Sequence, residues 1–342
     1  MELLKIIKNL NNNYKNHNFS DLKINSRECK NGDVFFAIKG QKKNGNFYIK
    51  DAINNGAKTI ISNKKYEGLR DDILYIHSKN PRKLLASSAS QLYKHTPNNL
   101  IAVTGTNGKT SIADFYTQIL KLNKIRSAYI GTLGVKINKN NLSTINTTPD
   151  LLSLYKILQK IKKKRTDNTI IEASSHGLHQ DRLGNIDFNM GIFTNLSRDH
   201  MDYHKNLEEY FNAKLILFKN LIKKNGYAIF KNKTPQYKKL NRICKKNKIK
   251  ILNIGKGGIL EIVNNSIINN NQHVTFKFNN KQYSFKTSLI GEIQIENLLM
   301  AALAASKLLS MSKIVSILDK IKPINGRLEK VGIIKNLSTV IL

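Results

Sequence analysis

The chain has 342 residues, with 57 Lys and Arg against 23 Asp and Glu, a formal net charge of +34. That length exceeds one ordinary hydrophobic core and predicts about two or three domains. Such a charge would usually point to nucleic acid or an anionic membrane. Here the excess is Lys mixed with Asn and Ile along the whole chain, and runs such as KKNKIK at 245–250 read as solvated faces, so neither partner is expected. Cys29 and Cys244 stand far apart without a Cys-x-x-Cys or Cys/His cluster, which excludes a disulfide framework and a zinc site and suits a reducing compartment. The opening MELLKIIKNLNNNYKNHN has no apolar core region or small-residue cleavage site, and no run approaches about 18 apolar residues. A cytoplasmic protein is expected.

In chain order, DVFFAIKG from Asp33 is a short apolar run closed by glycine, and DAINNGA then leads into KTIIS, which reads as strand, helix, strand. DILYIHS repeats the strand signal. PRKLLASSASQLYKH reads as a helix opened by Pro81, and Pro97 with two asparagines marks a linker, giving a first domain over 1–97. Beyond it NLIAVTG, a helix over 110–122, SAYIGT, a helix over 151–164, NTIIEAS and MGIFTNLS alternate. That alternation predicts an α/β domain over 98–325, with a mostly parallel sheet covered by helices on both faces. LEEYFNAKLILFKNLI is expected to be one helix ahead of strands GYAIF and IKILNIG. NNSIINNNQHVTFKFNNKQYSFKT alternates with period two about asparagine turns, a small antiparallel addition, and ENLLMAALAASKLL is a further helix. RLEKVGIIKNLSTVIL reads as the opening of another domain, over 326–342, and its end inside an apolar run predicts that the sequence is a piece of a longer one.

The chemistry concentrates in IAVTGTNGKTS at 101–111. A loop leaving a buried strand and entering a helix turns backbone N–H groups and the positive helix end toward an anion. Gly105 and Gly108 let the backbone approach phosphate oxygens, Lys109 can neutralise β and γ phosphates, and Thr110 can ligate magnesium. The spacing is compact, with Val103 where the common pattern has its first glycine. Glu172 closes the next apolar run, and SRDHMDYH supplies Asp199, His200, Asp202 and His204 after the following one. Open α/β sheets bind ligands at those strand ends, and phosphoryl transfer needs hard oxygen ligands around magnesium.

With these motifs in view, the sequence resembles the Mur ligases from about Ile24 to Glu329. NSRECKNGDVFFAIKG is similar to their uridine-nucleotide module, with Asn25-Ser26-Arg27 where Asp-Ser-Arg is usual. TGTNGKTS is their compact phosphate loop, and NTTPD, EASSHGLHQDRL and FTNLSRDHMDYH match further motifs. The Thr-Thr-Pro and Ser-Ser-His-Gly-Leu pairing resembles the branch that adds the third residue of the peptide. The ligase adding the terminal dipeptide lacks that pairing, and folylpolyglutamate synthetase lacks the N-terminal module.

The resemblance implies ATP-dependent amide formation. A free carboxylate of UDP-N-acetylmuramoyl-L-alanyl-D-glutamate would take the γ phosphate, and the amine of a diamino acid, meso-diaminopimelate rather than L-lysine, would displace it. ATP would be held by Gly105, Thr106, Asn107, Gly108, Lys109, Thr110 and Ser111, with Asn297 near adenine and Arg327 reaching the phosphates. Thr110 and Glu172 would bind one magnesium ion, and His200 would help bind a second. Lys214 matches the lysine that carbon dioxide converts to an anionic carbamate ligand. Ile24, Ser26, Gln41, Lys42 and Lys43 would contact the uridine nucleotide. Asn146, Thr147, Thr148, Ser174, Gln180 and Arg182 would contact the muramoyl dipeptide and its diphosphate. Glu292 to Gln294 departs from the usual Gly-x-x-Asn beginning, which implies a slightly different adenine pocket. A monomer is implied. The family's amino-acid-selecting domain would follow Leu342, and the alternative readings are a noncatalytic nucleotide-binding remnant or another Mur-type ligase.

Overall fold

The computed structural model describes residues 1–7, 14, 17–40, 43–138, 140–142, 146–269, 271–324, 330–334 and 338–341. They divide into two compact units, one of Met1–Thr96, Asp150–Lys160 and Gly184–Ile186, the other of Pro97–Pro149, Ile161–Leu183 and Asp187–Leu342. Among the described residues no helix is long and apolar enough to cross a membrane.

The first unit is built on β1 (Leu22–Lys23), β2 (Asp33–Phe36), β3 (Ala57–Ser62), β4 (Gly68–Arg70) and β5 (Ile73–His77), in the order β1-β2-β3-β5-β4. Only β4 runs antiparallel to its neighbour. All four residues of β2 are buried, as an apolar strand covered on both faces requires. Helix α1 (Ile49–Asn54) follows β2, and α2 (Pro81–Leu92) follows β5. Pro81 opens α2 where a missing N–H costs nothing, and Asn80 caps it through its side chain on the Lys83 amide at 3.0 Å. Asp21 ties the unit together by accepting from Lys23 and Lys156 at 2.8 Å each and from the Tyr93 hydroxyl at 2.9 Å. Burial raises its pKa, but these donors outweigh that and hold the carboxyl down at about 2.

The second unit holds an eleven-stranded sheet, in the order β16-β15-β14-β13-β12-β11-β6-β10-β7-β8-β9. Its parallel centre comprises β6 (Asn99–Thr104), β7 (Ser127–Gly131), β10 (Asn168–Glu172), β11 (Phe188–Phe193), β12 (Ile222–Lys231) and β13 (Lys250–Ile254). On one side β8 (Gly134–Ile137) and β9 (Asn140–Leu142) add antiparallel strands. On the other, β14 (Leu260–Ile268), β15 (Asn271–Phe278) and β16 (Lys281–Thr287) form the antiparallel addition expected from period-two alternation. The fold is α/β with mostly parallel sheets, as the alternating pattern predicts.

Helix α3 (Lys109–Leu122) leaves β6 and packs against α8 (Glu292–Ala305). Ile112, Phe115, Tyr116 and Ile119 of α3 share one core with Leu298, Leu299 and Ala302 of α8. Helix α8 is buried at nearly every position from Gln294 onward, as its unbroken apolar run demands. α4 (Leu151–Lys163), α5 (Ser175–His179), α6 (Leu207–Ile216), α7 (Tyr237–Lys246) and α9 (Met311–Val315) complete the described α-helices. A short pair, β17 (Lys330–Ile334) and β18 (Ser338–Ile341), is antiparallel.

The stretch LEEYFNAKLILFKNLI is not one α-helix. α6 gives way to a π-helical turn over Leu217–Leu221, and β12 starts at once. The wider turn brings Leu217, Phe218 and Leu221 all into the interior. Gly191 makes the room, because a Cβ there would meet Ile222 at 2.5 Å, Phe218 at 3.2 Å and Leu217 at 3.3 Å.

Candidate active site

The site grows from the C-terminal ends of β6, β7, β10 and β11 in the second unit. β10 pairs with β6 on one side and β7 on the other, so residues just beyond these strands become neighbours. Gly105, with φ +148°, comes so close to Thr194 that an added Cβ would lie 1.8 Å from its hydroxyl oxygen. Gly108, at φ +84°, faces Asn297 in the same way, with only 2.6 Å to its Oδ1. Both positions therefore require glycine on two grounds, left-handed backbone and close approach.

Asn195 pins the loop, accepting the Thr106 amide on its backbone oxygen and the Asn107 amide on Oδ1, each at 3.0 Å. Thr194 donates to the Asn107 carbonyl at 2.6 Å. Gly108 makes no side-chain cap hydrogen bond, and the start of α3 is where an anion could take a cap's place. Lys109 curls over the loop, with Nζ donating to the Gly105 and Thr106 carbonyls at 3.0 and 2.7 Å. Thr110 and Ser111 are buried in the first turn.

Glu172 is fully buried at the end of β10. Its Oε2 accepts from the hydroxyls of Thr110 and Thr132, both at 3.1 Å. Oε1 accepts the Thr132 amide at 3.1 Å and the hydroxyl of Tyr129. Burial, and then the Glu172 charge, push the Tyr129 phenol far above its usual pKa, so it keeps its proton. Among the described residues no three His, Cys, Asp or Glu side chains converge into a set that could hold a metal ion. The Thr110 and Glu172 oxygens at the loop's edge are the pair that could hold a hard cation together with phosphate oxygens.

Lys214, on α6, is 1% exposed and donates from Nζ to the Gly105 carbonyl at 2.7 Å, with the Tyr210 ring 4.0 Å away. One carbonyl thus accepts from both Lys109 and Lys214. Burial, reinforced by the Lys109 charge and opposed by Asp199, lowers the Lys214 pKa to about 6. At neutral pH this buried amine is mostly uncharged.

His200 has φ +54° and lies with Nε2 3.5 Å from Asp199, its ring 4.8 Å from that of His176. His204 is buried beside Tyr210 and His176, and burial followed by the charges of His176 and His179 lowers its pKa to about 4. The Tyr210 hydroxyl donates to Thr106 Oγ1 at 3.3 Å, which joins this aromatic group to the loop.

A second network lies along 146–149 and 174–182. The Thr148 hydroxyl donates to the Glu172 carbonyl at 2.7 Å and accepts the Ser174 amide at 3.0 Å. Ser174 caps α5 through the Gly177 amide at 3.0 Å. Arg182 donates to the Thr148 carbonyl at 2.8 Å and to Gln180 Oε1 through two nitrogens at 3.0 and 2.7 Å. Thr147 lies 3.3 Å from the Thr132 hydroxyl, and Asn146 is exposed. The loop residues, Thr110, Glu172, Lys214, Asn297 and this second set thus share the second unit's strand ends. Ile24, Ser26 and Lys43 belong to the first unit, at the ends of β1 and just past β2. Gln41, Lys42 and Arg327 lie outside the described residues.

Comparison with known proteins bears on this arrangement. The Mur ligase middle domain family matches residues 103–305, and the Mur ligase family catalytic domain matches residues 18–100. The chain belongs to the Mur ligase family. It is similar to the "UDP-N-acetylmuramoyl-L-alanyl-D-glutamate--2,6-diaminopimelate ligase" of Rickettsia prowazekii (strain Madrid E), 38% identical over 94% of this chain and 68% of that protein. The ligase of the same name from Rickettsia montanensis is also 38% identical, with the same coverage of each chain. A solved structure of a ligase of that name superposes with a TM-score of 0.85 at 26% identity, covering 97% of this chain and 69% of that one. The chain therefore spans about two thirds of the length of these Mur ligases.

Tyr129, Thr132, Thr194 and Tyr210 escaped the sequence reading, as did Asn195. The first three sit in SAYIGT and FTNLS, at the ends of strands that the apolar pattern did locate. A search for hydroxyl-bearing residues at each strand end would have found Thr132 and Thr194.

Proposed function

We propose that the chain is a cytoplasmic, monomeric, ATP-dependent ligase that joins meso-diaminopimelate to UDP-N-acetylmuramoyl-L-alanyl-D-glutamate. The observation that carries this reading is the uncapped glycine loop beside the buried Glu172–Thr110 pair, in a chain 38% identical over 94% of its length to a ligase named for that reaction.

A carboxylate is a poor electrophile, so the free carboxylate of the precursor first attacks the γ phosphorus of ATP, ADP departs, and an acyl phosphate results. The amine of diaminopimelate then attacks the acyl carbon, phosphate leaves, the amine loses a proton, and an amide remains. Both steps concentrate negative charge, and catalysis is chiefly positioning and neutralisation. Lys109, now bridging the Gly105 and Thr106 carbonyls, is 2.7 Å from the latter and would swing onto the β and γ phosphates. The α3 amides take phosphate oxygens, and Asn297 meets the adenine side of the loop.

Thr110 and Glu172 would hold magnesium, with His200 helping to hold a second ion. Their fit rests on the 3.1 Å approach of two hard oxygens, since magnesium uses one or two carboxylates and completes its shell with phosphates and water. Bound there, it would neutralise charge between the phosphates. Lys214, with its pKa near 6, has the neutral amine that reacts with carbon dioxide, forming an N–C bond and losing a proton to give a carbamate. Thr147, Thr148, Ser174, Gln180 and Arg182, with Asn146, would hold the muramoyl dipeptide. Ile24, Ser26 and the 41–43 segment would hold the uridine nucleotide, and Arg327 would reach ATP.

The first half-reaction supplies the test. With ATP, magnesium and the UDP-muramoyl dipeptide, hydroxylamine should trap the acyl phosphate as a hydroxamate, and omitting the dipeptide should abolish it. ADP release that ignores the dipeptide would overturn the reading.

A further inference from the structure

The end of β7 carries a device that the reaction described above does not use. β7 and β10 are parallel, with Tyr129 opposite Ile170 and Ile130 opposite Ile171. Side chains alternate across a sheet, so Tyr129 shares a face with Ile170 and therefore with Glu172. Its ring runs two residues along that face and brings the hydroxyl under the Glu172 carboxylate, on Oε1. Gly131 leaves the space for this meeting. A Cβ at Gly131 would lie 2.3 Å from Glu172 Oε1 and 2.5 Å from the Tyr129 hydroxyl, and no side chain but hydrogen fits there.

The direction of the hydrogen bonds follows from counting protons. The Leu133 amide donates to the Tyr129 oxygen at 3.1 Å, so the phenol's own proton is directed to the carboxylate, which when ionised can only accept. With the Thr132 amide also on Oε1, that oxygen takes one donor from β7 and one from the residue just past it, while Oε2 takes the hydroxyls of Thr110 and Thr132 at the loop's edge. Tyr129 is fully buried.

We propose that Tyr129 is a positioning residue: its hydroxyl, in the space kept by Gly131, locks Glu172 in the rotamer that presents Oε2 to a divalent cation at the phosphate loop. The inference rests on the reading of Glu172 as a cation-holding carboxylate. The lock confers affinity by preorganisation, because a buried carboxylate that has lost a charge-assisted donor must reorient when the cation arrives.

The test measures binding rather than turnover. Free Mn²⁺ is counted by electron paramagnetic resonance as it titrates the chain saturated with the nonhydrolysable nucleotide AMPPCP. Tyr129→Phe keeps the ring and its packing, and should weaken Mn²⁺ binding about tenfold, the scale of one charge-assisted hydrogen bond. Metal-free AMPPCP affinity should not change. Gly131→Ala, which retains the phenol but fills its space, should weaken Mn²⁺ in the same direction. Unchanged Mn²⁺ affinity in Tyr129→Phe would overturn the proposal and reduce the phenol to packing. Glu172→Gln separates the two readings: if it binds Mn²⁺ as the parent does, the cation role of Glu172 fails. If only Glu172→Gln loses Mn²⁺, the cation role stands and the Tyr129 lock fails.

Discussion

In both units predicted ligand residues gather around the C-terminal ends of parallel strands, yet the two sets are built differently. In the second unit Glu172 is fully buried and Lys214 is 1% exposed, and both are held by named partners, while the two ring nitrogens of His204 are buried without one. In the first unit Ile24 is 37% exposed and Lys43 is exposed, while Ser26 is buried. The second set is a preorganised electrostatic site whose polar burial is repaid by hydrogen bonds. The first is a surface at Ile24 and Lys43, and their contribution is to be gained on binding. Substitutions should therefore do their damage before the ligand arrives in the second unit and only afterwards in the first.

The largest effect is expected at Lys109. Lys109→Ala removes charge-assisted bonds to two phosphates, each worth about 2 kcal/mol, and should weaken ATP roughly a thousandfold. Titration with a fluorescent ATP analogue checks it, and equal affinity for the variant and the parent would remove the loop from the ATP site.

Lys214 comes next. Lys214→Ala should leave ATP affinity within about threefold but lower turnover about a hundredfold, partly restored by formate or acetate standing in for the carbamate. Stripping carbon dioxide from the parent should do the same, and a parent indifferent to carbon dioxide would exclude the carbamate. The pH dependence has a definite sign. With a folded pKa near 6 against 10.5 for the free side chain, the unfolded chain binds more protons across that window, so unmodified Lys214 makes stability rise with pH from 6 to 10.5. Urea unfolding under carbon-dioxide-free gas should show that slope in the parent and a flatter one in Lys214→Met.

These residues also show what a sequence reveals. Gly105, Gly108 and Lys109 were legible because a phosphate loop is local: glycines, lysine and helix start fall within eight residues. Glu172 was legible because an apolar run that ends in a carboxylate marks a strand end. Tyr129 was not, since an aromatic residue inside an apolar strand looks like core, and its partner is 43 residues away through a strand register. Helix α7 was hidden by its lysines, with only Leu240 and Cys244 buried on a single stripe. The π-helical turn was hidden because its cause, the space at Gly191, lies on another strand. Long-range steric reasons leave no local pattern.

The smallest effects sharpen the contrast most, because they compare like with like. Thr148 is fully buried, and its hydroxyl joins the Glu172 carbonyl to the Ser174 amide. Thr148→Val keeps the shape and strands both backbone groups, so it should cost about 1–3 kcal/mol of stability in denaturant melts without any ligand. Ile24→Ala removes a side chain already partly in water. It should leave the unfolding midpoint unchanged within error while raising the KM for the UDP-linked precursor about threefold at constant kcat, the signature of uniform binding lost. If Ile24→Ala destabilised the free chain as much as Thr148→Val, the first unit's strand ends would be as prebuilt as the second's, and the distinction between a surface that waits and a site that is already made would fall.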